Sequence, residues 1–162
     1  MSVNISDLGF IVGKWEGTGL AEYPTMKPLD YDEGLVFTRN DKDPLIHYEQ
    51  RTWIRSSGED NGQPVFWESG FIIDKGEGVF ELVCAQKSGR LELLRGQAKG
   101  SDGSGIELDL SSVIISNDPR MHRSGRKFRF LENMIDYELQ MATAENPGYE
   151  RHLRARLRRP GL

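Results

Sequence analysis

The sequence predicts an all-β fold, a ten-stranded antiparallel up-and-down β-barrel formed by a single domain over residues 1–162. Strand signals recur along the chain with Gly, Pro, Asn and Asp between them, and helical periodicity is almost absent beyond residue 12. The connections between these signals are mostly short, which indicates an antiparallel meander. Closing such a meander into a barrel removes its edge strands.

The chain begins with one short helical turn, predicted over residues 5–12 with Ser6 or Asp7 as its N-cap. The first strand follows, and in it Trp15 stands among three glycines. Glycines inside a strand mark bends or close backbone approaches. We therefore expect the strand to curve around Trp15, which would plug one end of the barrel.

Ten strands are predicted in order along the chain. They are Lys14–Tyr23, Tyr31–Arg39, Leu45–Arg55, Val65–Asp74, Val79–Gln86, Arg90–Lys99, Gly105–Ser112, His122–Leu131, Met134–Met141 and Glu150–Arg159. Alternation along them predicts an apolar interior. A barrel of this strand number is too wide to be filled by its own side chains, so the fold predicts a cavity for a small molecule.

Composition narrows the classes of partner and the compartment. The chain is 37% hydrophobic and 28% charged with a net charge of −4, which favours neither nucleic acid nor an anionic membrane as main partner. No apolar run approaches the ~20 residues of a membrane span, and the N-terminus lacks a signal pattern. Cys84 is the only cysteine, so no internal disulfide can form, and we expect it to be buried and inert. A reduced, cytoplasmic location is predicted.

The last strand carries the most suggestive histidine. Leu153, Ala155 and Leu157 alternate with arginines, which places His152 on the exposed, arginine-bearing face. A bulge at this point would instead turn His152 into the barrel. The arginines themselves are interpreted as a solvated face that pairs with carboxylates.

Motifs of other chemistries are missing from the sequence. His47 and His122 are interpreted as solvated or structural, and Cys84 shows no metal-site spacing with histidine or cysteine. No phosphate-binding loop or nucleophile elbow is present. The sequence shows no carboxylate pair or catalytic triad for acid–base work.

Several stretches together resemble one family, the nitrobindins, which are haem-binding β-barrels once described as fatty-acid-binding-protein-like. In order along the chain the matching pieces are Gly13–Gly19, Tyr23–Thr25, Tyr48–Trp53, Glu68–Phe71, Ala85–Gln86, Met141, Asn146–Pro147 and His152–Leu157. Each piece alone is weak, but this many in the right order are specific. The resemblance implies a lipocalin-like barrel with one ferric haem b per chain at one mouth.

The resemblance also implies roles for particular residues. It makes His152 the proximal ligand of the iron, with the sixth coordination position left open. Thr25 matches a haem-contacting position, and Arg120 stands where the family has a lysine that can pair with a propionate. The remaining pocket positions fall on Phe66, Gln86 and Met141.

The sequence departs from the family pattern at three places, and two of these concern this pocket. Phe66 stands where a relative has a histidine, which makes the distal side more apolar. One extra residue lies around Asp43 and another between Asn146 and His152, in the segment that positions the implied ligand.

The activity that the resemblance implies is binding of nitric oxide and isomerisation of peroxynitrite to nitrate at ferric haem. That reaction needs no general acid or base from the protein. The partners expected are haem, nitric oxide and peroxynitrite, with a possible homodimer. Two alternatives stay open: a non-enzymatic barrel for a fatty acid or other small apolar ligand, and an interaction domain that uses the arginine-rich strand.

Overall fold

The computed structural model describes residues 2–24, 26–101 and 105–161 as a closed barrel of ten antiparallel strands. The elements are a 3-10 helix over Ile5–Ile11, then β1 (Gly13–Ala21), β2 (Leu29–Thr38), β3 (Leu45–Ile54), β4 (Pro64–Gly76), β5 (Val79–Gln86), β6 (Leu91–Ser101), β7 (Gly105–Ser116), β8 (Met121–Phe130), β9 (Met134–Thr143) and β10 (Glu150–Arg158). Each strand pairs with its sequence neighbours, and β10 closes the barrel on β1. The predicted fold is confirmed. Among the described residues, no helix has the length and apolar character that crossing a membrane requires.

The N-terminal helix closes one end of the barrel, as the sequence predicts, but its N-cap is Asn4 rather than Ser6 or Asp7. Asn4 accepts the backbone N–H of Ser6, and the Asp7 carboxylate accepts the N–H of Asn4 in return. This capping box satisfies donors that the helix itself leaves free. The buried residues of the helix are Ile5, Leu8 and Ile11.

Trp15 lies beneath this helix and is fully buried, as predicted for the plug of this end. Its indole Nε1 donates to the Ile11 carbonyl at 2.8 Å, and the Arg159 guanidinium stacks over its ring at 4.3 Å. The neighbouring glycines serve close contacts: a Cβ at Gly19 would overlap the Tyr31 ring, and one at Gly17 would overlap the backbone of β10.

The middle of the barrel is polar, which corrects the expectation of an apolar interior. Floor residues near the helix are apolar, but halfway along the axis a buried polar layer crosses the barrel. Its members are Glu33, Tyr48, Gln50, Glu68, Gln86, Glu92, Ser124, Arg126 and Tyr137. These side chains fill space that the strand number alone would leave as a cavity.

Extra residues interrupt the strand ladders close to the end of the barrel opposite the helix. The register shifts of the β3–β4, β6–β7, β8–β9 and β9–β10 pairs leave Val65, Val113, His122 and His152 without a cross-strand partner. Bulges of this kind bend a strand and re-aim its side chains, and they are common at the rims of barrels.

Candidate functional site

The open end of the barrel lies opposite the N-terminal helix, and we call it the mouth. Five connections surround it, at residues 22–28, 55–63, 87–90, 117–120 and 144–149. A cavity of about 290 Å³ opens there. The described residues that line it are Tyr23, Met26, Arg90, Asp118, Arg120, Met121, Thr143, Glu145, Asn146 and His152.

His152 is the residue at which β10 changes phase. Arg151 pairs with Gln140 and Leu153 pairs with Leu139, so His152 is the extra residue of a bulge. The bulge turns its side chain inward, where the residue is only 1% exposed. Regular alternation predicts an exposed His152 and is wrong here, while the bulged alternative is confirmed.

The imidazole of His152 is buried without any hydrogen bond. Neither Nδ1 nor Nε2 has a partner among the described residues. The Tyr23 ring packs edge-on against it, with the ring centroids 5.1 Å apart. Burial lowers the pKa of His152, and the charge of Glu150 opposes that shift. A neutral imidazole with free nitrogens is the form that ligates a metal.

Charged side chains stand at the rim of the same cavity. Arg120, which is 80% exposed, pairs with Asp118 at 3.1 Å and holds the pKa of that carboxyl low through its hydrogen bonds. Arg90 is more enclosed and lies 3.3 Å from Asp118 and 3.4 Å from Glu92. Arg90 therefore connects the rim to the buried polar layer, whereas Arg120 projects into solvent and has Asp118 as its ion-pair partner.

Arg126 is the centre of the buried polar layer. Its guanidinium donates to both carboxylate oxygens of Glu68 and, at 3.2 Å, to Glu92. Burial alone would raise the pKa of Glu68, but the charge and hydrogen bonds of Arg126 bring it below its ordinary value. Gln86 lies between the two acids and donates to Glu68 at 3.1 Å and to Glu92 at 2.9 Å.

Cys84 joins this cluster, a contact that its neighbours in the sequence do not predict. Its sulfur and the carboxylates of Glu68 and Glu92 lie within 4.8 Å of one another, a spacing that a metal ion could use. Arg126 already neutralises both carboxylates and donates to the Cys84 sulfur at 3.7 Å. Burial raises the thiol pKa to about 12, so the thiolate that metals require is not formed. Cys84 is buried, as predicted, and the guanidinium accounts for the cluster.

A smaller cavity of about 110 Å³ lies next to the mouth and shares Tyr23 with it. Its walls are mostly apolar and include Phe66, while Glu33, Gln50 and Tyr137 of the polar layer form its polar side. Oε2 of Glu33 and the Tyr137 hydroxyl have no hydrogen-bond partner among the described residues.

The residues singled out from the sequence fall in different parts of this arrangement. His152 and Arg120 share the mouth cavity, and Phe66 lines the adjoining one. Met141 is buried on β9 opposite Glu150, and Gln86 belongs to the polar layer. Thr25 lies outside the described residues. Tyr23, Arg90, Asp118 and most of the polar layer were not singled out from the sequence.

The other histidines and the arginine-rich strand behave as interpreted. The ring of His47 lies 2.9 Å from the Ser69 hydroxyl, and His122 is exposed. On the outer face of β10, Arg156 pairs with Asp136 at 2.7 Å and Arg151 pairs with Glu138 at 3.3 Å. These pairs leave the strand a solvated face with internal carboxylate partners.

The residues present at the mouth fit a haem. The unpartnered imidazole of His152 could serve as an axial ligand, Tyr23 and Met121 offer apolar surface beside it, and Arg120 at the rim could pair with a propionate. Together with the closed barrel, these features describe a class of β-barrel with one inward-facing histidine at its open mouth, where a cofactor could bind.

Comparison with known proteins identifies the family. A profile described as "THAP4-like, heme-binding beta-barrel domain" matches residues 4–159, and the chain belongs to that family. A protein of Arabidopsis thaliana named peroxynitrite isomerase Rv2717c is 31% identical, covering 93% of this chain and 86% of that protein. Peroxynitrite isomerase 2 of Mycobacterium ulcerans is 33% identical, with 96% and 94% covered.

Solved structures agree with this assignment. The crystal structure of Rv2717c from M. tuberculosis superposes with a TM-score of 0.85 at 31% identity, covering 96% of each chain. The resemblance to nitrobindins read from the sequence motifs is thereby confirmed.

Proposed function

We propose that the protein holds one ferric haem b per chain at the barrel mouth, binds nitric oxide there and isomerises peroxynitrite to nitrate. The observation that carries this proposal is His152, a buried neutral imidazole with both nitrogens unpartnered at an open cavity. A buried polar group without a hydrogen bond costs about 1–3 kcal/mol, which coordination to iron would offset. The names of the relatives at 31% and 33% identity support the reaction.

The chain's own residues divide the work at this site. His152 would ligate the iron from one side, and Arg120 would leave Asp118 to pair with a propionate. Phe66 and Met141 would form apolar walls that exclude water and bulky ligands, while Gln86 joins the pocket to the polar layer. Thr25 is retained as a haem contact on the family resemblance alone. When bound, ferric haem supplies a Lewis-acidic iron with an open position for a small anion or for nitric oxide.

The fatty-acid alternative is less well supported by the interior. A long acyl chain needs a continuous apolar channel along the barrel axis. The buried polar layer crosses that axis and contains the Arg126–Glu68 ion pair, which is about 1% exposed. Opening a channel there would separate a buried ion pair at a cost of several kcal/mol. The mouth is consequently the better-supported site.

The ligand assignment is tested by substituting His152→Ala and titrating the purified protein with hemin. We expect the wild type to give a sharp Soret band at one hemin per chain that shifts on addition of nitric oxide. The variant should fold but lose hemin affinity by about 100-fold or more, because the buried, unpartnered imidazole of His152 is gone. His122→Ala, which removes an exposed histidine, is the matched control and should titrate like the wild type.

Two results would contradict the proposal. Retention of the native Soret band by His152→Ala would remove His152 as the ligand. Weak hemin binding by the wild type, without a defined Soret band, would exclude the haem function and with it peroxynitrite isomerisation. If hemin binds, the rate of peroxynitrite decay in a stopped-flow experiment measures the isomerisation directly.

We also infer that the protein forms a homodimer through an apolar row on the outside of the barrel. Phe71, Val83, Leu93 and Ile114 are consecutive cross-strand neighbours on β4 to β7. Phe71 and Val83 are each 42% exposed and Ile114 is 55% exposed. Adjacent charges such as Arg95 and Glu81 pair within the chain and are not left to bind a charged partner. The surface that best complements this row is therefore another apolar surface, which a second copy of the chain provides.

Location in the cytoplasm stays a prediction from the single free cysteine.

A further inference from the structure

We propose that Tyr149 is a positioning residue for His152. By packing into a notch at Gly125 on the outside of the barrel, Tyr149 fixes the phase of the chain before the bulge and so keeps the imidazole inside the mouth. This inference deepens the proposed function and rests on it for the role of His152 as ligand.

The notch is built by a glycine on β8. Ser124 and Arg126 point into the barrel and bond members of the polar layer, so Gly125 between them faces outward. A Cβ at Gly125 would overlap the Tyr149 hydroxyl. The Arg123 guanidinium stacks over the Tyr149 ring at 3.9 Å from its centroid. Tyr149 is thus clamped between a strand surface and a cation, although it belongs to a connection.

The chain before Tyr149 is held by the rim of the mouth. The backbone N–H of Thr143 donates to the Asn146 carbonyl at 2.9 Å, and the N–H of Asn146 donates to the Thr143 hydroxyl at 3.1 Å. The N–H of Ala144 donates to the Arg120 carbonyl at 2.8 Å. These hydrogen bonds hold residues 143–146 in place, so this part of the connection cannot readily shift if the register of β10 changes.

The chain after Tyr149 is held by the ladders of β10. Glu150 pairs with Met141, and beyond the bulge Leu153 pairs with Leu139. The carbonyl of His152 accepts the backbone N–H of Glu22 at 2.7 Å. The bulge therefore lies between two fixed points. On its N-terminal side, Tyr149 is the only residue among the described contacts whose side chain packs against the outer surface of β8.

Residue parity shows why the anchor controls His152. In a strand of regular alternation, Tyr149 would share the inward face with Ala155 and Leu157, and His152 would face outward with Arg154. The structure reverses both positions: Tyr149 lies outside and His152 lies inside. One phase change at the bulge produces both placements, so the outward position of Tyr149 in the notch and the inward position of His152 are coupled.

The test uses apo-protein and Tyr149→Ala, with carbethoxylation of histidines by diethyl pyrocarbonate followed by peptide mass spectrometry. In the wild type, exposed His122 should react readily and buried His152 slowly. In Tyr149→Ala we expect His152 to react about tenfold faster or more, with His122 unchanged. Tyr149→Phe, which loses only the hydroxyl and keeps the ring beneath the Arg123 guanidinium, should largely restore protection. Hemin affinity should fall about 10- to 100-fold in the alanine variant, the range for residues that orient a metal ligand.

Trp67→Ala is the matched control, because Trp67 is also an outer-face aromatic covered by an arginine, Arg51, at 4.0 Å. It should leave both readouts unchanged. If Tyr149→Ala does not fold, Gly125→Ala and Arg123→Ala test the same notch and should raise His152 reactivity in the same direction.

Protection of His152 and unchanged hemin affinity in every folded notch variant would overturn the inference. The chemical readout needs no haem, so it also separates the two proposals. If the variants expose His152 but the wild type fails to bind hemin, the positioning role stands and the proposed function fails.

Discussion

Glu33 is buried in the polar layer without a full set of hydrogen-bond partners, and this environment raises the pKa of its carboxyl. Burial raises its pKa from 4.5 to about 7; the hydrogen bond from Gln50 lowers it, the charge of Glu68 raises it and Arg126 lowers it. Oε2 has no hydrogen-bond partner among the described residues. This carboxyl therefore keeps its proton to a higher pH than an exposed glutamate does.

The raised pKa of Glu33 predicts a pH-dependent stability. The folded state binds the proton more tightly than the unfolded state, so the contribution is complete below about pH 4.5 and is lost as pH rises toward 7. The full effect amounts to about 3 kcal/mol in the free energy of unfolding. Glu33→Gln keeps the acceptor for Gln50 and cannot ionise, so the variant should gain stability relative to the wild type between pH 5 and 8.

Urea unfolding of both proteins across that pH range measures the difference. His152 titrates with the opposite sign, because its lowered pKa costs stability as pH falls, and Glu68 acts only below its ordinary range. Both contributions are common to the two proteins and cancel in the difference. A difference that stays constant from pH 5 to 8 would contradict the raised pKa of Glu33.

Residue-level features could be read from the sequence to different degrees. Arg126 shares strand parity with Phe128 and Phe130, and Glu33 shares it with Leu35 and Phe37, so inward charges were signalled by alternation and were not recognised. The inward His152 could not be derived in this way, because a bulge adds one residue without a local signature. Alternation left a bulge as an open alternative, and the family resemblance favoured it.

At the scale of elements, Gly17 and Gly19 of β1 lie where neighbouring chain segments come closest to the strand. A Cβ at Gly17 would overlap main-chain atoms of Arg156 and Leu157 on β10. β10 pairs with β1 to close the barrel, so this contact lies at the closing seam. Main-chain atoms cannot move aside as the tip of a flexible side chain can.

Gly17→Ala should consequently destabilise the fold by about 1–3 kcal/mol through strain at the seam. Gly100→Ala on β6 is the control, since a Cβ there meets nothing within 4 Å. The substitution also removes the entropic cost of holding a glycine in a strand. The midpoint of urea unfolding should fall for the first variant and stay or rise for the second. Equal midpoints for Gly17→Ala and the wild type would show that the seam relaxes freely.

Element types were predictable, and their ends were less so. All ten strands and the N-terminal turn were predicted from alternation and turn residues. β7 runs on to Ser116 instead of ending at Ser112, because the bulge at Val113 lets the ladder with β6 resume. The Asn4 cap was missed because the choice between neighbouring capping residues depends on the helix start, which varies by a residue or two.

At the scale of the molecule, the barrel divides into three levels with different tasks. Apolar side chains and the N-terminal helix seal one end, the buried polar layer spans the middle, and the mouth carries the proposed haem site. The layer gives the mouth a rigid base, because Arg126, Glu68 and Glu92 hold one another in place from three different strands. Total composition could not reveal this division, since it does not report which charges face inward.

The outer surface leads to the prediction about assembly. Val83 lies at the centre of the exposed apolar row, between Phe71 on β4 and Leu93 on β6. If two copies pair through this row, Val83→Lys buries an unpaired charge in each half of the interface, and a two-fold axis brings the two charges near one another. We expect the wild type to sediment at about twice its 18.4 kDa chain mass and the variant as a monomer.

Val36→Lys on β2 is the matched control, because Val36 is similarly exposed at 38% but lies outside the row. It should leave the dimer intact in sedimentation equilibrium at the same protein concentration. The hemin titration should be unaffected in both variants, since the row is on the outside of the wall and the mouth is at its end. A monomeric wild type would contradict pairing altogether, and a Val83→Lys protein that is still dimeric would place the interface on another face of the barrel.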